Sequence, residues 1–432
     1  MPEVFLKVAP PNADGKTADA VLPAGRTLQQ ATTFLPYGKQ EIGDADIQAV
    51  VEALLSGWLT TGPRVGAFER AFADYCGAGE AVAVNSGTAA LHAAMRALGV
   101  GPGDEVIVPA ITFAASANAA LYEGAAPVFA DVEPDTLLLD PASVEARLTS
   151  RTRAIVAVDY AGQPADYDAL AAIARRRGVR LIADACHAPG ATYNGRKTGT
   201  LADISCFSFH PVKHLTTCEG GMCTTGDAEM AAHMRAFRNH GIASDHRSRE
   251  ASGQHAYDMA ELGYNYRLPD VQCALGMAQL KRLDGWIAAR RRIADLYDRA
   301  LAGVPGITPL ALRPDREHAY HLYVVRLDKG LDRDRIFAAL RGEGIGANVH
   351  YAPVYLHSFY RARGYTPGLC PVAESASRQI LTLPMFPAMT GADVTRVAET
   401  LTRAVARSTP ARWREQGFVI QRAGGPVDLE RR

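Results

Sequence analysis

Lysine is scarce in this chain of 432 residues, with seven against 39 arginines. Paired cysteines are missing too. The seven cysteines are an odd number, spread out and without a C-x-x-C pair, which argues against a disulfide framework or a zinc site and leaves them as reduced, small core residues. There is no excess of either charge, 46 Lys plus Arg against 46 Asp plus Glu, so no net field draws the chain to nucleic acid or to an anionic membrane. No apolar run reaches the ~20 residues of a bilayer span. The longest apolar neighbourhood, from Val106 to Tyr122, is interrupted by Pro109, Thr112, Ser116 and Asn118. The first residues, Met-Pro-Glu-Val-Phe-Leu-Lys, lack a basic head followed by an apolar stretch, and a cytoplasmic protein is expected. What is present in quantity is core material. Hydrophobic residues are 48% and charged residues 21%, enough for a globular enzyme of two or three domains.

Residues 1–34, rich in Ala, Pro, Gly and Thr without a sustained period, read as a flexible N-terminal extension. From Asp46 onwards Ile47, Val50, Val51, Leu54 and Leu55 form one stripe of an amphipathic helix that stops at Gly57. Short apolar runs then alternate with helical windows. Ala81–Val84, Val106–Val108, Ala126–Phe129, Ala154–Val158, Arg180–Ala183 and Ile204–Phe209 are strand candidates. Leu91, Ala94, Met95 and Leu98 line one helix face, and Tyr167–Arg177 is a further helix. Strands buried on both faces by crossover helices give this pattern, so the fold class is α/β with a large, mostly parallel sheet over 35–285. A long helical region from Val271 to about Leu301 leads into a smaller α+β C-terminal domain, 286–408. Its strands are expected near Leu322–Arg326 and Ala347–Tyr351, and its helices near Arg335–Arg341 and Ala392–Val405. Residues 409–432 read as a polar tail, and no internal repeat is present.

Three features fall at the same edge of such a sheet, where open α/β folds place their ligands. Lys213 follows the strand Ile204–Phe209; alone it is as consistent with a solvated loop lysine as with a covalently used amine. Asp184 ends the apolar strand Val179–Ala183; alone it would equally be a helix N-cap. Asn85-Ser86-Gly87-Thr88 joins a strand to a helix, where unpaired amides and the positive dipole end hold a phosphate. Pyridoxal 5'-phosphate (PLP) needs all three partners: an amine for its aldehyde, a helix N-terminus for its phosphate and a carboxylate for its ring nitrogen. A metal site fits less well, because the 12 histidines show no H-E-x-x-H spacing, and none is expected.

The segments 207–221 (FSFHPVKHLTTCEGG), 183–188 (ADACHA), 85–91 (NSGTAAL) and 263–267 (GYNYR) resemble the nucleotide-sugar aminotransferases of the DegT/DnrJ/EryC1/StrS family over about residues 35–405. The resemblance implies the aspartate-aminotransferase-like, type I fold of PLP-dependent transferases and a homodimer with shared active sites. It makes Lys213 the Schiff-base lysine and proton shuttle, and Asp184 the partner of the ring nitrogen. Gly87, Thr88 and Ser208 would bind the phosphate, with Asn265 reaching it from the other subunit. His187 would lie beside the ring oxygen and Phe113 near the ring face. Family members with His in place of the lysine dehydrate sugars; this chain keeps Lys213, so transamination is expected. A regulator built on the same fold would carry a DNA-binding module, and residues 1–34 are too short and too poor in basic residues for a helix-turn-helix.

Within the family, His187 and His210 separate the chain from the branch making perosamine-type sugars. Together with 159–164 (DYAGQP) and 348–355 (NVHYAPVY), they resemble the branch that aminates a UDP-linked 4-keto-6-deoxy-N-acetylhexosamine towards pseudaminic acid, with L-glutamate as donor. Pro189, where Leu is usual, and Cys218, where Gly or Ala is common, depart from that pattern. Tyr37, Gly57, Trp58, Leu59, Thr60 and Tyr351 would line the sugar-nucleotide pocket. The alternative is an aminotransferase for another nucleotide-linked keto sugar, a UDP-4-keto-pentose first, or a GDP- or dTDP-linked 4-keto-6-deoxyhexose.

Overall fold

The computed structural model describes residues 34–243, 253 and 256–408; the N-terminal extension, apart from Phe34, and the polar tail lie outside the described residues. In the first half of the chain the strands are β1 (Glu80–Val84), β2 (Glu105–Pro109), β3 (Ala126–Ala130), β4 (Thr152–Val158), β5 (Arg180–Asp184), the two-residue β6 (Thr192–Tyr193) and β7 (Arg196–Lys197), β8 (Ile204–Ser208) and β9 (Gly221–Thr225). Seven of them form one sheet in the order β1-β9-β8-β5-β4-β2-β3. β9 runs antiparallel to both of its neighbours and the other six are parallel. The carboxyl ends of six strands therefore share one edge. The apolar runs are continuous because helices cover both faces, and Val82, Val84, Val106, Val108, Ile155, Val156 and Ile182 are fully buried.

Local chemistry sets where the helices start. Ser86 is extended (φ −165°, ψ 162°) and its side chain accepts a hydrogen bond from the Ala89 amide, so the helix Gly87–Ala97 begins directly beyond β1. Leu91, Ala94, Met95 and Leu98 are buried on its inner face, each large side chain contributing about 1.5–3 kcal/mol. Tyr167–Arg177 is capped by Asp166 and ended by Gly178 at φ 65°.

A second sheet, β10 (Ile307–Pro309), β12 (Tyr323–Leu327) and β13 (Ile380–Leu383), has its own core of Val325, Leu327, Ile336, Leu340, Leu381, Leu383, Val397 and Leu401; β11 (Arg316–Glu317) pairs instead with β6. Leu35 belongs to this core as well. The boundary expected at 285/286 falls inside the helix Leu283–Leu301. Leu283, Trp286 and Ile287 pack beneath the large sheet, whereas Ile293, Tyr297 and Leu301 pack in the core of the small one, so this helix is shared.

Several expectations need correction. Val271–Leu301 is two helices, Asp270–Leu280 and Leu283–Leu301, broken at Lys281-Arg282, where Arg282 turns its guanidinium to the buried Asp46. Ala347–Tyr351 is not a strand: only Asn348 bridges to Thr382, and the chain then turns to deliver His350 and Tyr351 to the site. β9, whose sequence Gly-Met-Cys-Thr-Thr carries no clear period, was not among the expected strands. The first helix, Asp44–Leu55, is the expected amphipathic one, and a buried carboxylate sets which side faces in. It buries Asp46 and Ala53, and Asp46 accepts hydrogen bonds from the Gly43 amide, Gln279 Nε2 and Arg282, while its apolar stripe faces outwards.

Candidate active site

A cavity of about 370 Å³ opens at the carboxyl edge of the large sheet. Three consecutive structural joints build its floor. β1 ends at Val84 and delivers Ser86, Gly87 and Thr88; β5 ends at Asp184; β8 ends at Ser208 and leads through His210 to Lys213. Gly87 and Thr88 occupy the first turn of a helix, where amide N–H groups have no intrahelical acceptor. Glycine is required here. A Cβ on Gly87 would lie 2.8 Å from Ser208 Cβ, and one on Gly221 would lie 2.4 Å from the Ser86 carbonyl oxygen. The amides and the Ser208 hydroxyl therefore converge on one small cradle suited to a phosphate.

Asp184 is buried and oriented by a chain of hydroxyls. Ser116 Oγ donates to Asp184 Oδ2 at 2.7 Å. That leaves Ser116 to accept from Thr112, 2.7 Å away. The Cys186 amide reaches Asp184 Oδ1 at 3.3 Å. Phe113 lines the mouth of the cavity, its ring 6.2 Å from that of Tyr351.

Lys213 is surrounded by imidazoles. Its Nζ lies 3.5 Å from Nε2 of His321. The His321 ring stands 4.3 Å from that of His187 and 5.7 Å from that of His214. Burial pushes the Lys213 amine below its ordinary value, with Cys186 and Asp184 acting in the opposite sense. Burial and the lysine charge hold His187 and His321 far below the usual histidine range, and His350 is lowered to about 4. These rings are neutral at physiological pH. Tyr351 Oη lies 3.3 Å from His187 Nε2, and the Tyr37 ring packs 5.4 Å from that of His350.

The loop that carries His321 is fixed by its backbone. Buried Arg290 donates to the carbonyls of Tyr320 and Met385 at 3.0 Å and of His321 at 3.4 Å. Gly162, at φ 110°, lets this loop lie close, because a Cβ there would meet the His187 carbonyl oxygen at 2.8 Å and the Tyr320 amide nitrogen at 2.9 Å.

Lys213, Asp184, Gly87, Thr88, Ser208, His187, Phe113, Tyr37 and Tyr351 all line this cavity. Asn265 and Gly57–Thr60 do not: they lie on exposed segments of the same chain outside it. Sequence reasoning passed over His321, His350, Ser116 and Thr112. Ser116 and Thr112 belong to the very stretch that contains Phe113, and the H-x-x-H of 318–321 was the available signal for His321. The cavity meets the demands of PLP in its donor set, with an anion cradle, an oriented carboxylate, a depressed amine and a buried His187 Nδ1 that has no partner. Among the described residues, no three His, Cys, Asp or Glu side chains are placed to hold a metal ion, and no helix is long and apolar enough to cross a membrane.

Comparison with known proteins agrees with this geometry. The DegT/DnrJ/EryC1/StrS aminotransferase family profile matches residues 40–402. SpsC, a spore coat polysaccharide biosynthesis protein of Bacillus subtilis (strain 168), is 43% identical over 378 residues, which are 86% of this chain and 97% of that protein. Among solved structures, Spr1654 of Streptococcus pneumoniae, designated a sugar aminotransferase and solved in PMP and PLP forms, aligns in its PMP form with a TM-score of 0.83 at 33% identity, over 87% of this chain and 100% of its own. PseC of Helicobacter pylori, an aminotransferase involved in pseudaminic acid biosynthesis, aligns with a TM-score of 0.82 at 30% identity, over 87% of this chain and 100% of its own.

Proposed function

The chain belongs to the DegT/DnrJ/EryC1/StrS aminotransferase family and is a PLP-dependent sugar aminotransferase, and from that premise we propose that it aminates the C4 ketone of a UDP-linked 4-keto-6-deoxy-N-acetylhexosamine. L-Glutamate is the donor, and the products are the UDP-4-amino-4,6-dideoxy sugar and 2-oxoglutarate. The observation that carries the chemistry is the convergence of Lys213, Asp184 and the Gly87–Thr88 helix start in one cavity. The likeness to PseC supports the sugar.

When bound, PLP supplies an aldehyde that exchanges for an amine and a ring that takes up the electron pair of a deprotonated carbon. The protein does the rest. Gly87, Thr88 and Ser208 anchor the phosphate, which fixes the orientation of everything attached to it. Asp184, held by Ser116, keeps a proton on the ring nitrogen. Lys213 Nζ, its amine depressed by burial, takes the proton from one carbon and returns it to another. The neutral rings of His187 and His321 and the Tyr351 hydroxyl line the same space.

The active unit in this reading is a homodimer with shared sites. The helix Asp44–Leu55 presents Ile47, Val51, Leu54 and Leu55 at 55%, 40%, 54% and 81% exposure, and Trp58, Leu59, Leu262 and Tyr264 are exposed as well. Such an apolar surface suits a second copy of the chain. Among the described residues, those lining the cavity include no arginine, and in this reading cations for the two glutamate carboxylates would come from beyond them. Asn265 and Gly57–Thr60, absent from their own chain's cavity, would serve the facing one.

The test is turnover with L-glutamate against a panel of UDP-, GDP- and dTDP-linked 4-keto sugars and a UDP-4-keto-pentose. Amination of the UDP-linked N-acetylhexosamine is expected to dominate in kcat/KM. Preference for any other member would overturn the sugar assignment and leave the reaction class intact.

A further inference from the structure

We propose that His321 is the resting partner of the Lys213 amine, a positioning residue whose Nε2 accepts a hydrogen bond from the Lys213 ammonium whenever that amine is not bonded to the cofactor. The inference rests on the reading of Lys213 as the reactive amine.

The juxtaposition that carries it is the 3.5 Å separation of Lys213 Nζ and His321 Nε2 inside the cavity. An ammonium set free there has left water and needs an acceptor. The groups that bear on Lys213 are Asp184, Cys186 and His187 from the end of β5 and the turn after it, His214 from its own segment, His350 from the segment before Tyr351, and His321. Arg290 faces His214 and His321 from the shared helix. Asp184 is engaged by Ser116, and His214 spends its Nε2 proton on the Ala319 carbonyl at 2.9 Å. His350 is bonded to Thr382 and Asn348. His187 meets Tyr351 Oη through Nε2, and its Nδ1, though unpartnered, makes no hydrogen bond to Lys213. His321 has a buried ring, kept neutral by burial and by the neighbouring lysine charge, and among the described residues its side chain has no hydrogen-bond partner other than Lys213.

A neutral imidazole is a suitable acceptor. It can take a hydrogen bond from the ammonium without the strong Coulomb attraction of a second carboxylate, so the amine stays within reach and returns easily. The anchoring is rigid because Arg290 fixes the backbone of 320–321 and Gly162 admits it. Lys213 is thereby aimed at the cavity rather than at bulk water.

The test is the protonation midpoint of Lys213, read by competitive acetic-anhydride labelling across pH in the full chain stripped of cofactor, with the Lys213 peptide quantified by mass spectrometry. His321→Gln, whose amide reaches the place of Nε2, is expected to keep the wild-type midpoint. His321→Asn, whose amide reaches only the place of Nδ1, is expected to lower it by about one pH unit, the worth of one hydrogen bond to a charged group. The pH dependence of the bound-cofactor absorbance in the loaded enzyme should follow the same order, which gives a second readout if one variant folds poorly. Equal midpoints for the Gln and Asn variants, or a wild-type midpoint in the Asn variant, would overturn the pairing. Failure of the wild-type chain to bind PLP at Lys213 would instead overturn the reading on which it rests, leaving the labelling result to stand alone.

Discussion

Asp184 owes its orientation to two hydroxyls, and the cost of losing each link differs. Asp184→Asn removes the charge that keeps a proton on the ring nitrogen and is expected to lower kcat by several orders of magnitude. Ser116→Ala removes one hydrogen bond to a carboxylate, about 1.5–3 kcal/mol, and is expected to lower kcat/KM by roughly ten- to a hundredfold while the cofactor still binds. Steady-state rates of both variants check the order, and a Ser116→Ala enzyme at wild-type speed would contradict it. Asp159 is a different case. Its Oδ1 accepts from the Ala165 amide and Tyr167 Oη, its Oδ2 is buried without a partner, and burial pushes its pKa up to about 7. Between about pH 4 and pH 7 the folded protein holds a proton that the unfolded chain releases, so stability falls with rising pH by up to about 1.4 kcal/mol per unit over that window. Asp159→Asn removes this dependence. Urea midpoints should coincide near pH 4 and favour the variant at pH 8; equal midpoints at pH 8 would contradict the assignment. The side chains readable from sequence were those at strand ends, Asp184, Lys213 and the Gly87–Thr88 turn, because an apolar run announces the strand and the polar residue after it. His321 and His350 were not readable in that way. They come from the small-sheet half, more than 100 residues beyond Lys213, and only tertiary packing brings them to it.

The helix Asp44–Leu55 shows why a periodic stripe gives a helix without giving its direction. Its apolar positions were legible, yet Asp46 faces inwards because Arg282 and Gln279 meet it there, and the stripe is left for another surface. Burying a charge is tolerable only with such partners. Val51→Asp together with Leu54→Asp should therefore convert the proposed dimer to monomer in sedimentation while cooperative thermal unfolding persists, because neither side chain belongs to the chain's own core. An unchanged sedimentation coefficient would contradict the proposed dimer face. Other elements followed their local signals closely. Tyr167–Arg177 has both its caps in the sequence, and the parallel strands are apolar throughout. β9 escaped because a short Gly-Met-Cys-Thr-Thr strand between β1 and β8 is specified by its neighbours, where Gly221 must let Ser86 approach, rather than by its own pattern.

Taken as one molecule, the chain brings six parallel strands to a common edge and lays the small-sheet half across it, so that Lys213 and Asp184 come from the large sheet and His321, His350 and Tyr351 close the cavity from the other side. The general architecture was legible because alternation of buried strands and helices permits few topologies. The identity of the sugar was not, since stereochemistry is read by the three-dimensional placement of hydroxyls and imidazoles around a cavity to which the facing copy would also contribute. The most direct measurement of the central claim is borohydride reduction of the purified full-length protein loaded with PLP, followed by peptide mapping. A stable pyridoxyl adduct on the peptide containing Lys213, absent in Lys213→Ala, is the predicted result; an adduct on any other lysine, or an undiminished yield in Lys213→Ala, would contradict it.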